Sequence, residues 1–137
     1  MDKQIKTYDV QSIELSTSFN KALKFIANPR NLPLWTSAFK KADEDSALLV
    51  TPNGELQIGL TTVVNGSGTI DWHMKMPDGA IGKAFSRLTE LPNGNVVYSF
   101  VLLAPPVPIE LVEGTLESQR KMLADELKNL ERILTDK

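Results

Sequence analysis

Large apolar side chains recur in this chain at positions that could line a binding site. Trp72, Met74 and Met76 alternate along one segment, with Trp35 earlier and Phe100 later in the sequence. Aromatic and methionine side chains suit the wall of an apolar cavity, because they are large or conformationally adaptable. They also suit a filled core, so residue type and spacing leave both interpretations open.

Three small residues, Gly82, Ala84 and Ser86, alternate along one face of a predicted strand. If this face points inward, it leaves space for a ligand beside the larger side chains. Close packing of a helix against a sheet requires small residues as well. The pattern therefore suggests a cavity without distinguishing it from tight packing.

Few polar residues are placed to orient the polar end of a ligand. Arg120 and Gln119 lie between Leu116 and Leu123 of a predicted helix, where they could reach a cavity, and Tyr98 is a further candidate. A single polar group in an apolar cavity fixes the orientation of a ligand. Alternatively, Arg120 packs only its aliphatic stem and keeps its guanidinium in water.

The single histidine, His73, follows Asp71 by two residues on the same strand face. A carboxylate beside an imidazole could orient a general base. However, this face also carries Thr69 and Lys75, so we predict that it faces water and has no catalytic role. One histidine and no cysteine also argue against a transition-metal site, which gathers three or four ligands. We expect neither metal nor cofactor.

Length, composition and charge limit the classes of function that this chain can have. The chain has 137 residues (15.2 kDa), which predicts a single domain over residues 1–137. The absence of cysteine excludes a disulfide scaffold. A net charge of −2 argues against nucleic-acid binding. No apolar run approaches a membrane span and the first residues form no signal-peptide core, so we expect a cytoplasmic protein with no integral membrane segment.

Turn signals divide the middle of the chain into strands. Pro-Asn-Gly or Pro-Asp-Gly occurs at 52–54, 77–79 and 92–94, and Asn65-Gly66 predicts a two-residue hairpin turn. Between these signals, residues 46–104 form five segments of strand length with alternating apolar and polar side chains. Short connections between successive strands predict an antiparallel meander.

Helical patterns flank the meander. Ser18 is a predicted N-cap for a helix over 19–27, which ends before Pro29, and a second short helix or turn covers 30–35. The longest element is an amphipathic helix over 110–135, with a stripe of leucines at 116, 123, 127, 130 and 134. Residues 5–15 form a first strand. This order predicts an α+β fold in which the sheet curves around the long C-terminal helix.

Two segments resemble a known family. A strand with Ser-Ile-Glu-Leu at 12–15 and a capped helix precede residues 28–35, which match the pattern D/N-P-x-N-x-x-x-W, and residues 123–131 are similar to the family's final amphipathic helix. On these motifs the chain resembles the START-related, birch-pollen-allergen-like superfamily (SRPBCC), and within it bacterial polyketide cyclase/dehydrase-like proteins. The resemblance covers nearly the whole chain.

The resemblance implies a helix-grip fold: a curved antiparallel sheet wrapped around a long C-terminal helix, two short helices after the first strand, and an apolar cavity in between. Members bind or transport lipids, sterols, polyketides and other hydrophobic molecules, and some are cyclases or hydrolases. They share no universal catalytic set, so the resemblance assigns no catalytic residue here. The predicted meander is one strand shorter than in larger members, which implies a smaller cavity.

We therefore expect the chain to bind a small hydrophobic ligand, such as a lipid, an isoprenoid or a polyketide-like molecule. The expected ligand-binding residues are Trp35, Trp72, Met74, Met76, Ser86, Tyr98, Phe100, Leu116, Arg120 and Leu123.

Two alternatives remain. A cyclase, dehydratase or hydrolase would need an acid–base residue such as Glu90, Asp71 or His73 facing the cavity. A non-catalytic interaction protein would instead have a filled core and would use its long helix or an edge strand to bind a partner, such as a second copy of the chain in a homodimer.

Overall fold

The computed structural model describes residues 7–51, 54–103 and 109–135. Within them the strands are β1 (Tyr8–Leu15), β2 (Phe39–Ala42), β3 (Ser46–Thr51), β4 (Gly54–Val64), β5 (Thr69–Lys75), β6 (Ile81–Glu90) and β7 (Val96–Leu103). The α-helices are α1 (Phe19–Ala27), α2 (Leu32–Trp35) and α3 (Ile109–Leu134), and a short 3-10 helix, Pro29–Asn31, connects α1 to α2. Residues 5 and 6 of the predicted first strand and residues 52 and 53 of the first predicted turn lie outside the described ranges.

The seven strands form one antiparallel sheet in the order β1-β7-β6-β5-β4-β3-β2. Strands β2 to β7 are a meander, and β1 pairs with β7 at the far edge. The register sets Trp72 opposite Ala84 and Met74 opposite Gly82, so large and small side chains share one face. The sheet is curved and the long C-terminal helix α3 packs against it along β1, which confirms the predicted α+β arrangement.

The first helix forms as its sequence predicts. Ser18 has extended backbone, and its hydroxyl oxygen accepts a hydrogen bond from the Lys21 N–H at 3.2 Å. Ala22 and Ile26 are fully buried on the inner face of α1. Asn28, which precedes a proline, leaves the helical conformation and ends the helix.

Strand β2 was absent from the sequence prediction, which contained six strands rather than seven. Its four residues carry two lysines, and a β-bulge interrupts its pairing with β3 between Phe39 and Lys41. Short, lysine-bearing, bulged strands are typical of sheet edges, and β2 is an edge strand here. The inference that the sheet lacks a strand was therefore wrong.

The turn between β4 and β5 also differs from the predicted two-residue turn. Four residues, 65–68, connect the strands: the Asn65 N–H donates to the Thr69 carbonyl, and the Gly68 N–H donates to the Asn65 carbonyl. The Asn65 side chain accepts from the Ser67 N–H at 3.0 Å, which favours the longer turn. Gly68, not Gly66, takes the positive φ, at +114°.

Helix α3 supplies one side of the core. All five leucines of its predicted stripe are buried, at 116, 123, 127, 130 and 134, and the last four belong to the main core cluster. Met122 and Ile133, at the edges of the stripe, are exposed. The helix packs along β1 and reaches α2. Around the middle of the helix, from Gln119 to Glu126, a space separates α3 from the sheet.

Candidate functional site

A cavity of about 540 Å³ lies between the sheet and α3. Strands β5, β6 and β7 form one wall, and α3 and the segment from Trp35 to Phe39 form others. Exposed apolar side chains, Ile81, Leu103 and Met122, also line it, so the cavity opens to the surface beside them. Its volume falls within the range of about 300–1,000 Å³ that small-molecule sites occupy.

Six of the ten predicted site residues line this cavity: Trp35, Trp72, Met74, Met76, Phe100 and Leu123. Two of the small residues, Gly82 and Ala84, line it as well. A Cβ atom at Gly82 would lie 3.5 Å from the Met76 Cε and 3.6 Å from the Met74 Cε, so these methionines pack over the glycine.

Ser86 and Tyr98 lie deeper in the core than the cavity wall. The Ser86 hydroxyl donates to the Ile70 carbonyl at 2.5 Å across the β5–β6 pair, so its proton is already used. Tyr98 is fully buried, and its hydroxyl has no hydrogen-bond partner among the described residues. Burial raises the pKa of Tyr98 well above its usual value.

Leu116 and Arg120 also lie outside the cavity lining. Leu116 is buried, three residues before Gln119, where the part of α3 that lines the cavity begins. Arg120 is exposed and pairs with Glu117, with its Nη2 2.5 Å from Glu117 Oε1. Successive residues of a helix point about 100° apart, so Arg120 and its neighbour Gln119 face different directions, and Gln119 lines the cavity.

Four aromatic rings form a closed set of neighbours, called here the aromatic cluster: Trp35, Trp72, Tyr98 and Phe100. Trp35 lies 6.5 Å from Trp72 and 6.2 Å from Tyr98 between ring centroids, and Phe100 lies 6.3 Å from both Trp72 and Tyr98. These distances are those of favourable aromatic pairs. Trp35, Trp72 and Phe100 of this cluster line the cavity, whereas Tyr98 does not.

Glu126 of α3 is the charged residue that sequence reasoning missed. It lines the cavity with only 8% of its surface exposed. Its Oε2 accepts a hydrogen bond of 2.6 Å from the Ser37 N–H, and the Ala38 N–H and the Ser37 hydroxyl also donate to this carboxyl. Burial raises the pKa of Glu126 above its ordinary value, although the two backbone hydrogen bonds oppose that shift.

Comparisons with known proteins bear on the fold. No family model matches the sequence, and no curated protein matches it. Solved structures do: a START superfamily protein from Mycobacterium smegmatis is 11% identical, with 94% of this chain and 97% of that chain covered at a TM-score of 0.69. XoxI from Bacillus cereus is 14% identical, with 94% and 96% covered and a TM-score of 0.68. The chain has a START-like fold.

A further structural neighbour is larger than this chain. DynU16, from the dynemicin biosynthetic locus, is 13% identical at a TM-score of 0.63, with 94% of this chain but 47% of DynU16 covered. At these identities the comparisons establish the START-like fold and leave the chemistry to the residues of the cavity. None of the helices in the described ranges combines the length and apolarity needed to cross a membrane.

The polar residues suggested for catalysis lie away from the cavity of this START-like fold. His73 and Asp71 pair with Lys83 and Phe85 on the face of the sheet opposite Trp72. Glu90 is exposed and borders a separate surface depression beside α1. No cluster of three or more metal-ligating side chains occurs within residues 7–51, 54–103 and 109–135.

The hydroxyl of Tyr98 gives a direct test of the packing below the cavity. A buried hydroxyl without a partner has lost its hydrogen bonds to water and gained none, so removing it costs nothing. We expect Tyr98→Phe to keep or raise the free energy of unfolding, by up to about 1 kcal/mol. Urea denaturation, monitored by tryptophan fluorescence, measures this free energy. A loss above about 1 kcal/mol would show that the hydroxyl has a hydrogen-bond partner.

Glu126 should make stability depend on pH. Because burial raises its pKa in the folded state, the folded protein holds this proton more tightly than the unfolded chain does. This contribution is present below the unfolded pKa and is lost as the pH rises through the folded pKa. Each unit by which the folded pKa exceeds the unfolded pKa corresponds to about 1.4 kcal/mol in the free energy of unfolding.

We expect the free energy of unfolding of wild type, relative to Glu126→Gln, to fall as the pH rises above about 4, the ordinary glutamate range. Urea denaturation of both proteins across a series of pH values is the measurement. Asp43→Asn is the control of opposite sign: hydrogen bonds from the Asp45 and Ser46 N–H groups lower the pKa of Asp43, so the contribution of Asp43 is lost as the pH falls below about 4. A wild-type curve parallel to that of Glu126→Gln would contradict the burial argument.

Proposed function

We propose that this protein binds a small hydrophobic ligand, such as a lipid, an isoprenoid or a polyketide-like molecule, in the cavity between the sheet and α3. The observation that carries the proposal is the cavity itself, about 540 Å³ with a largely apolar lining of aromatic and methionine side chains. The START-like fold of the neighbouring structures supports it.

Desolvation supplies the binding free energy in this proposal. Apolar ligand surface transferred from water to the cavity gains about 25 cal/mol per Å² buried. Trp35, Trp72 and Phe100 offer flat ring surfaces, and Met74 and Met76 adapt their shape to what lies beside them. The exposed apolar side chains at the opening give an apolar ligand a route into the cavity.

The two tryptophans provide the assay, because the chain has no others and both line the cavity. We would titrate ¹⁵N-labelled protein with naphthalene, geraniol and lauric acid, one probe for each class of ligand, and follow the two indole N–H signals. Saturable shifts of both signals with at least one probe support the proposal. Unmoved indole signals with all three probes would overturn it.

Native mass spectrometry of the protein from its source identifies the ligand itself. We expect a non-covalent adduct that is released on denaturation and is extracted into an organic solvent. The matched comparison is Ala84→Phe, in which the added phenyl ring fills part of the cavity. This variant should lose the adduct.

An acid–base enzyme acting on such a ligand is the second candidate, and Glu126 is the observation that favours it. A buried carboxyl with a raised pKa at a cavity wall is suited to hold or deliver a proton. The test incubates the protein with its extracted ligand in D₂O and measures deuterium incorporation or a mass change. Wild-type turnover that Glu126→Gln abolishes would favour the enzyme, and an unchanged ligand would favour binding alone.

The third alternative, an interaction protein with a filled core, requires side chains to occupy the space between sheet and helix. The cavity of about 540 Å³ argues against it. The two edge strands give no support to this alternative, because β1 packs against α3 and β2 is short and bulged.

A further inference from the structure

The position of Glu126 is unusual for a charged residue. It lies three residues after Leu123 and four before Leu130, so it belongs to the buried side of α3 rather than to its exposed side. Burying an ionisable group costs free energy, and a leucine or methionine here would continue the apolar stripe. The residue therefore needs partners that compensate its burial.

Its partners within the chain use only part of its hydrogen-bonding capacity. A carboxylate offers about four acceptor sites. The Ser37 N–H, at 2.6 Å from Oε2, the Ala38 N–H and the Ser37 hydroxyl occupy three of them. One acceptor site remains, and Glu126 lines the cavity, so a ligand there can reach the carboxyl.

Few other groups of the wall can accept a hydrogen bond from a ligand. Lys83, which also borders the cavity, is exposed and carries donors only, and the buried indole N–H groups of Trp35 and Trp72 are donors as well. The Thr36 hydroxyl donates to the Leu32 carbonyl at 2.7 Å, which leaves its oxygen as a neutral acceptor, weaker than a carboxylate. Gln119 lies seven residues before Glu126, about 10 Å along the helix axis. The carboxyl of Glu126 is thus a localised acceptor in a largely apolar wall.

The carboxyl also lies close to the aromatic part of the wall. Its partners, Ser37 and Ala38, directly follow Trp35 and Thr36 in the chain, and all of these except Ser37 line the cavity with it. An apolar ligand packed against Trp35 would place one end near Glu126.

We propose that Glu126 accepts a hydrogen bond from a hydroxyl group of the ligand, which makes the cavity selective for hydrophobic molecules that carry a hydroxyl. This inference rests on the proposed function. The hydroxyl end of the ligand then lies at Glu126, and its apolar body packs against Trp35, Trp72 and Phe100. A hydrogen bond to a carboxylate is stronger than one between neutral groups, so the selectivity should be measurable.

The test compares three probes of similar size: naphthalene, 2-methoxynaphthalene and 2-naphthol. Only the last can donate a hydrogen bond. Dissociation constants come from the two indole N–H signals, and the Ser37 backbone N–H signal reports on the carboxyl to which it is bonded. We expect 2-naphthol to bind about tenfold more tightly than 2-methoxynaphthalene and to shift the Ser37 signal more than naphthalene does.

Equal affinities for 2-naphthol and 2-methoxynaphthalene would overturn this inference while leaving the proposed function intact. Failure of all three probes to bind would instead count against the proposed function. The wild-type ratio decides between these outcomes even if a variant does not fold.

Glu126→Gln should reduce the preference for 2-naphthol to less than about threefold, with little change in the affinity for naphthalene. Glu131→Gln is the matched control, since it removes one exposed charge from the same helix and should keep the preference of about tenfold. A Glu126→Gln protein that retains the full preference would also overturn the inference.

Discussion

Replacing Ala84 by phenylalanine should weaken ligand binding at least tenfold, which corresponds to about 1.4 kcal/mol. Ala84 is half-buried on β6, lines the cavity and lies opposite Trp72 in the sheet. A phenyl ring added there occupies the space that a ligand would take beside Trp72. The measurement is the dissociation constant of naphthalene from the indole N–H signals, together with the adduct seen by native mass spectrometry.

Stability distinguishes this effect from general damage. Adding a large side chain to a filled core costs about 1–3 kcal/mol, because neighbours must move. Adding it to an existing cavity buries apolar surface without that strain, so the free energy of unfolding should be unchanged or higher. A loss of about 2 kcal/mol or more would show that the space beside Ala84 is filled.

Thr61→Phe is the matched control. Thr61 lies on β4 opposite His73, is exposed, and does not line the cavity. The same aromatic side chain introduced there should leave the affinity for naphthalene within about twofold of wild type, as surface substitutions have small effects. Equal losses of binding in the two variants would contradict the location of the site.

The sequence predicted the features that depend on local physics. The cap at Ser18, the helix stop at Pro29 and the alternation around Trp72 each rely on neighbours in the chain, and the structure confirms them. Strand β2 was missed because its identity as a strand comes from pairing at a sheet edge. Two lysines in four residues carry little β-propensity of their own.

The candidate site was predictable where it is apolar and was not predictable where it is polar. Trp72 and Met74 follow from alternation, whereas Glu126, a glutamate in an amphipathic helix, is by its type expected to be exposed. Its partner Ser37 is 89 residues away in sequence, and nothing local records that contact. A charged residue three positions after Leu123 and four before Leu130 was the available signal.

This difference has a physical cause. Apolar side chains at regular spacing favour burial through their type, because transfer of apolar surface out of water lowers the free energy. A buried polar side chain is recognised only by the groups that satisfy it, and these come from distant segments. Arg120 shows the converse, since its side chain pairs with Glu117 on the surface although it lies between two buried leucines.

Gly68→Ala should be the most destabilising of the glycine substitutions, by about 3 kcal/mol or more. Two separate costs add at this residue. Its φ of +114° is one that residues with a side chain rarely adopt. A Cβ atom would also lie 2.2 Å from the Leu88 carbonyl oxygen, a backbone atom that cannot move without disturbing β6.

Two other glycines separate these costs. Gly79 has a φ of +91° and open space where a Cβ atom would lie, so Gly79→Ala carries the backbone strain alone, about 1 kcal/mol. Gly66 has neither a positive φ nor a close neighbour, and Gly66→Ala should be nearly neutral. Urea denaturation of the three variants should rank them Gly68, Gly79, Gly66 in order of decreasing loss. If Gly66→Ala were the most damaging, the two-residue turn at Asn65-Gly66 would be the correct one, because that turn requires a positive φ at Gly66.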